Sequence, residues 1–276
     1  LAEAERAIST GRQLNQPSDN PTAATQLLRH QVRLDRIGQY RRNADNARLW
    51  ISAADEALQS AANNMGRAKT LAVQAGNDTL GPVENGALAA DIRAIADELL
   101  AVANAKASGR VIFAGTADTP LAYDTNGNYL GDTGAVERTI DVDEVVRVGS
   151  PGPDVFGVAN PGDPMNGSVF EVLNALADAV EADDPVQVRA GITAINAATA
   201  RIGQTQGVTG AISQQLDAAD FRHGGEELAV QADVSGIRDT DIAEAVIRLR
   251  SAEVSYEATL SATARGISRS LLDFLR

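Results

Sequence analysis

From Ile242 to the end of the chain, Val246, Leu249, Glu253, Tyr256, Leu260, Thr263, Ile267, Ser270 and Phe274 recur at alternating steps of four and three. That spacing sets side chains along one helical seam, and the seam carries seven large apolar residues. Asp239 or Thr240 is placed to cap the helix, and Asp241 and Glu244 complement the positive end of its dipole. A helix of this length runs about 50 Å, and a stripe so narrow and long needs a partner helix. Ile242, Val246, Leu249, Tyr256, Leu260, Ile267, Leu271 and Phe274 are therefore the candidate self-assembly residues.

The same period governs most of the chain. Residues up to Thr10 read as the tail of a helix that Gly11 ends. In the loop that follows, Asn20 can cap a new helix and Pro21 suits its first position. Ile51, Ala54, Leu58, Ala61, Met65, Ala68 and Ala72 then step by three and four. This predicts a second long helix, about 80 Å if continuous, with Gly38 its weak point. After a turn at Gly76 to Pro82, a third helix carries Ala89, Ile92, Ile95, Ala96, Leu99, Leu100 and Ala103 and ends near Gly109. There the period changes. Val111 to Phe113 is a short apolar run, Asn126-Gly127 between Tyr123 and Tyr129 signals a tight hairpin, and Thr139 to Asp143 alternates with period two. Helical pattern returns at Ser168 with Val169, Val172, Leu173, Leu176 and Val180, and again from Pro185 with Val188, Ile192, Ile195, Ile202, Ile212, Leu216, Leu228 and Val234. Gly203, Gly207, Gly210, Gly224 and Gly225 weaken that last segment, and a kink or mobile joint is expected there.

The fold class is thus mainly α: a long antiparallel helical bundle built from both chain ends, with one small inserted β domain. Residues 1–109 and 167–238 would form the two parts of a discontinuous helical rod, 110–166 the β-rich insert, and 239–276 a terminal coiled-coil helix. The first residues enter mid-pattern without a cap, so further natural residues are expected ahead of Leu1.

Charge and composition narrow the function. Of the net charge of −13, residues 111–190 supply −11, with fourteen acids against three Arg. Phosphate neutralisation needs clustered cations, so nucleic acid is not an expected partner. The one basic cluster, Arg29, Arg33, Arg36, Arg41, Arg42 and Arg48, reads as a solvated or inter-subunit helix face. No run approaches the roughly eighteen consecutive apolar residues of a membrane span. Absence of Cys removes disulfides and thiolate chemistry. His223 has Asp220 and Glu227 at helical spacing, but Gly224-Gly225 argues against the unbroken helix a metal would need there. The run from Asp124 to Tyr129 lacks the glycine and glutamate positions of a calcium loop and reads as a hairpin turn. No phosphate-binding glycine fingerprint, nucleophile elbow or metalloprotease helix occurs, so neither catalytic, cofactor nor metal residues are expected.

Two terminal motifs point to a family. Thr10-Gly11-Arg12 followed by Pro17-Ser18-Asp19-Asn20-Pro21-Thr22-Ala23-Ala24 resembles the N-terminal signature of flagellin-related axial proteins, in its hook-filament junction variant. Ser235 to Ala245 resembles the flagellin C-terminal signature, and Leu271-Leu272-Asp273-Phe274-Leu275 the close of the hook-associated branch. Gly109 to Thr116 is similar to the entry into that branch's insert. The resemblance implies a secreted, non-enzymatic subunit at the hook-filament junction of the bacterial flagellum. Its implied partners are copies of itself, the adjacent hook-associated protein, flagellin and a flagellar export chaperone. A filament flagellin shares the end motifs, and a helical adhesin using the insert is an alternative from another class.

Overall fold

The computed structural model describes residues 2–76 and 81–274. Its helices are α1 (Ala2–Thr10), α2 (Pro21–Ala75), α3 (Pro82–Ala103), α4 (Gly152–Phe156), α5 (Val169–Glu181), α6 (Pro185–Arg238) and α7 (Ile242–Phe274). Four short strands, β1 (Lys106–Ala107), β2 (Arg110–Val111), β3 (Glu137–Asp141) and β4 (Glu144–Arg147), pair antiparallel as β1 with β2 and β3 with β4. Packing divides the chain into two units. One takes residues up to Gln39 and from Arg222 onward, the other Tyr40–Phe221.

In the second unit, all seven residues of the alanine-rich seam on α2 are buried. Small side chains let helices approach closely, and larger residues on α3 and α5 fill the space between. Leu88, Ile92, Ile95 and Leu99 of α3 and Val172, Leu173, Leu176 and Val180 of α5 lie in one apolar cluster with that seam. Contacts at both ends of the α3 and α5 pair show it to be antiparallel. Arg93 donates to Asp178 and Glu181, both at 2.7 Å, while Asn85 Nδ2 reaches Asp183 at 3.2 Å. Arg41 to Asp220 at 3.3 Å and Arg48 to Asp217 at 3.1 Å likewise set α2 antiparallel to α6.

The glycines of α6 do not break it. The helix is continuous from Pro185 to Arg238, and the division between the two units crosses it at Phe221/Arg222, beside Gly224-Gly225. A Cβ at Gly203, Gly207, Gly210, Gly224 or Gly225 would meet nothing within 4 Å, so no close approach requires these glycines. Each costs about 1 kcal/mol of helix propensity. Burial of Ile195, Ala198, Ile202, Leu216, Ala219 and Val230 along the inner face outweighs that cost.

The insert is built on aromatic packing more than on strands. Phe113, Tyr123, Phe156 and Phe170 bury their rings together, with Phe113 and Phe156 edge to face at 5.1 Å between centroids. The Tyr123 hydroxyl donates to the Gly157 carbonyl at 2.9 Å. Tyr123 and Tyr129 form the expected bridge, and Asp124 closes the turn by accepting the Asn126 and Asn128 amides. Ser168, fully buried, caps α5: its hydroxyl accepts the Glu171 amide at 3.3 Å while the Glu171 carboxylate accepts the Ser168 amide at 3.1 Å and that of Asn160 at 2.7 Å. Ser168→Ala is expected to lower stability by about 1 kcal/mol, read as an earlier urea midpoint.

A second clamp holds the insert's entry. Asp132 accepts the Thr116 amide (2.7 Å), the Thr116 hydroxyl (2.7 Å) and the Gly134 amide (2.9 Å). Gly115 sits beside it at φ +70°, where a Cβ would overlap the Asp132 main chain. Hydrogen bonding, first from the Thr116 side chain, holds the Asp132 carboxyl below its ordinary range. A depressed folded pKa means that the stabilisation is complete above the unfolded value near 4 and is lost as pH falls through the folded one. Between pH 7 and pH 3 the urea midpoint of the parent is therefore expected to fall more than that of Asp132→Asn.

Candidate functional site: where the chain ends meet

The first unit brings the two terminal motifs together. Thr10 accepts the Arg12 amide through its hydroxyl at 3.2 Å, and Gly11 turns the chain out of α1 at φ +67°. Asp19 then ties the loop by accepting the Asn15 and Gln16 amides at 3.1 and 2.8 Å. Asn20 accepts the Ala23 amide at 3.1 Å, so it caps α2 as its sequence position implies.

Main-chain bonds join this loop to the turn between α6 and α7. Gln13 donates its amide to the Arg238 carbonyl at 2.9 Å, and Thr240 donates to the Gly11 carbonyl at 2.9 Å. Arg12 and Asp239 form the antiparallel bridge between them, and the Gln13 side chain adds a bond to the Ile237 carbonyl at 3.0 Å. Asp239 is committed elsewhere than expected: its carboxylate accepts Arg238 Nε and the Ser235 hydroxyl, both at 2.7 Å, and Arg238 foremost holds its pKa down. The cap of α7 is instead Asp241, which accepts the Ala243 and Glu244 amides at 2.9 and 3.3 Å. Neither Asp239 nor Thr240 serves, because both lie in the bridge to the N-terminal loop.

α1 packs against α7. On α7 the covered positions are Ala245, which is buried, with Leu249 and Ala252 half-buried; on α1 they are Ala4, Ala7 and Ile8, all half-buried. Of the candidate seam, only Leu249 belongs to this covered face. Ile242, Val246, Tyr256 and Leu260 are exposed, the last two at 56% and 53%. Side chains of Ile267, Leu271 and Phe274 lie outside the described residues. The α1 contact escapes the apolar spacing because alanines form it, and alanine marks no face on a helix that holds it on several.

The basic cluster is not a bare face. Arg33 pairs with Glu226 at 2.6 Å, and Arg41 and Arg48 take the partners on α6 given above. These pairs are half-exposed, so each contributes at most about 1 kcal/mol and serves mainly to fix register.

Burial raises the Tyr123 phenol far above its usual range and pushes that of Tyr129 up to about 12, so neither ionises near neutrality. His223 is buried on the unbroken α6, a correction to the expected interruption at Gly224-Gly225. Among the described residues there is no group of three potential metal ligands, and no helix is long and apolar enough to cross a membrane.

Long helices drawn from both ends of the chain, tied where the ends meet and carrying an exposed apolar stripe, define a protein whose business is helix packing. Two sequence models agree, the bacterial flagellin N-terminal helical region over residues 1–118 and the bacterial flagellin C-terminal helical region over residues 192–275. Together these span most of the chain, which belongs to the flagellin family. Flagellar hook-associated protein 3 of Salmonella typhimurium is 30% identical over 151 residues, 54% of this chain and 48% of the relative. Its Escherichia coli namesake is 28% identical over 183 residues, 63% of this chain and 58% of the relative. The chain therefore matches about half the length of these relatives. Three solved structures share the fold. A candidate flagellar hook-associated protein of Vibrio parahaemolyticus aligns with TM-score 0.73 at 19% identity, over 80% of this chain and all of its own. FlgL of Bacillus cereus gives 0.65 at 19%, over 75% and 99%. The flagellar junction protein FlgL of Legionella pneumophila gives 0.62 at 15%, over 78% and 100%.

Proposed function

We propose that the chain is a non-enzymatic structural subunit of the bacterial flagellum, secreted and seated at the hook-filament junction. The observation that carries this is the stripe of Ile242, Val246, Tyr256 and Leu260, left exposed on a helix whose neighbouring face α1 already covers. A chain that sheds water from such a stripe does so against another helix. Copies of itself supply that helix around the junction, and the stripe continues in sequence through Ile267, Leu271 and Phe274. Residues 1–109 and 167–238 act as the two parts of a rod, 110–166 as an insert borne on it, and 239–276 as the terminal coiled-coil helix.

The matching hook-associated proteins support the junction over the filament, as do the Pro17-Ser18-Asp19-Asn20-Pro21 loop and the Leu271 to Leu275 ending. Its partners are copies of itself, an adjacent hook-associated protein, flagellin and a flagellar export chaperone. Immunogold labelling of the native protein tests the reading. Label confined to a narrow zone beyond the hook is the expected result; label along the filament would assign the chain to the filament instead.

A further inference from the structure

Between the β3 and β4 hairpin and α6 lies a groove of about 610 Å³, all within the second unit. Val145, Val208 and Ile212 make it apolar, and Arg147 and Arg201 make it cationic against a single lining carboxylate, Asp154. In a chain of net charge −13 that balance is unusual. Arg201 Nε is buried and meets no acceptor among the described residues. The groove's charge balance, two guanidinium groups against one carboxylate, suits an occupant that brings a carboxylate of its own.

The same unit displays a surface of the opposite character. The turn between β3 and β4 holds Val142, 62% exposed, beside the exposed carboxylate of Asp143. We propose that this turn of a second copy of the chain docks in the groove, with Val142 entering between Val208 and Ile212 and Asp143 reaching the Arg147 and Arg201 guanidinium groups. Turn and groove are different surfaces, so the contact is heterologous and passes from copy to copy. It rests on the self-assembling role proposed above and adds a contact through the insert to the one through α7.

The chain has no cysteine, so disulfide trapping can be placed at will. Chains carrying Val142→Cys and chains of different tag length carrying Val208→Cys are mixed under mild oxidation. The mixed dimer is expected to form about tenfold faster than that of a control pair, Val83→Cys with Val208→Cys, because docking raises the local thiol concentration. Val83 is 82% exposed against 62% for Val142, so accessibility alone favours the control. Arg201→Glu in the Val208→Cys chain should remove the advantage, and Asp143→Arg in its partner should restore it. If Arg201→Glu does not fold, Asp143→Arg opposite the unaltered groove makes the same test from an exposed position. A rate no greater than the control overturns the contact. Should Tyr256→Cys chains still couple to one another in that case, assembly through α7 stands without it; should neither couple, both fall.

Discussion

Phe156→Ala is expected to produce the largest loss of stability of any single change considered, about 3–5 kcal/mol. The ring is fully buried, edge to face with Phe113 and Tyr123 and stacked at 5.9 Å on Phe170, which begins α5. Truncation removes its transfer free energy and leaves a cavity that surrounding rings, held by the Tyr123 to Gly157 bond and the Ser168 cap, can only partly close. The check is urea denaturation followed by two probes. Trp50, the only tryptophan, reports by fluorescence on α2 and lies in the same apolar cluster as Phe156, whereas the tyrosine bands of near-ultraviolet dichroism include Tyr123 and Tyr129 of the insert. Because insert and helices share that cluster, both probes should move to one lower midpoint with an unchanged slope. An insert signal lost well before that of Trp50 would show that the β-rich segment unfolds by itself.

Where one residue type marks one face, the fold was legible in the sequence. The α2 seam from Ile51 to Ala72, the return of helix at Ser168 and the Asn126-Gly127 hairpin all stand where spacing and side-chain chemistry put them. What escaped involved competition between distant segments. Asp239 has the chemistry of a helix cap, yet Arg238 and Ser235 take its oxygens and the Gly11 to Gln13 loop takes its surroundings, leaving Asp241 to cap α7. The glycines of α6 lower its helix propensity, yet burial of Ile202 and Leu216 keeps it helical throughout. Local propensity is a weak term once a helix lies against a packed neighbour. Arg33, Arg41 and Arg48 find their acids on α6, 193, 179 and 169 positions away in sequence, which no local window reveals. The candidate surface was legible in part: the apolar spacing of α7 located the stripe, but the alanines that turn Ala245 and Ala252 toward α1 carry no hydrophobic contrast.

That exposed stripe carries the largest expected effect on function. Tyr256 and Leu260 are more than half exposed in the single chain. Tyr256→Asp and Leu260→Asp should therefore shift its stability by no more than about 0.5 kcal/mol, the usual range for surface positions. In an assembled junction the same carboxylate would be carried into an apolar helix seam without a partner, where a buried unpaired charge is strongly disfavoured. Junction formation, and with it swarming, should then be abolished. Two measurements decide: the melting temperature of the purified variants, and swarming of cells carrying each substitution in the full-length protein. Variants that melt far below the parent would place Tyr256 and Leu260 in the subunit's own core rather than on an assembly surface. Variants that melt with the parent while their cells swarm normally would take the stripe out of the junction and leave the proposed contact through the insert to hold neighbouring copies together.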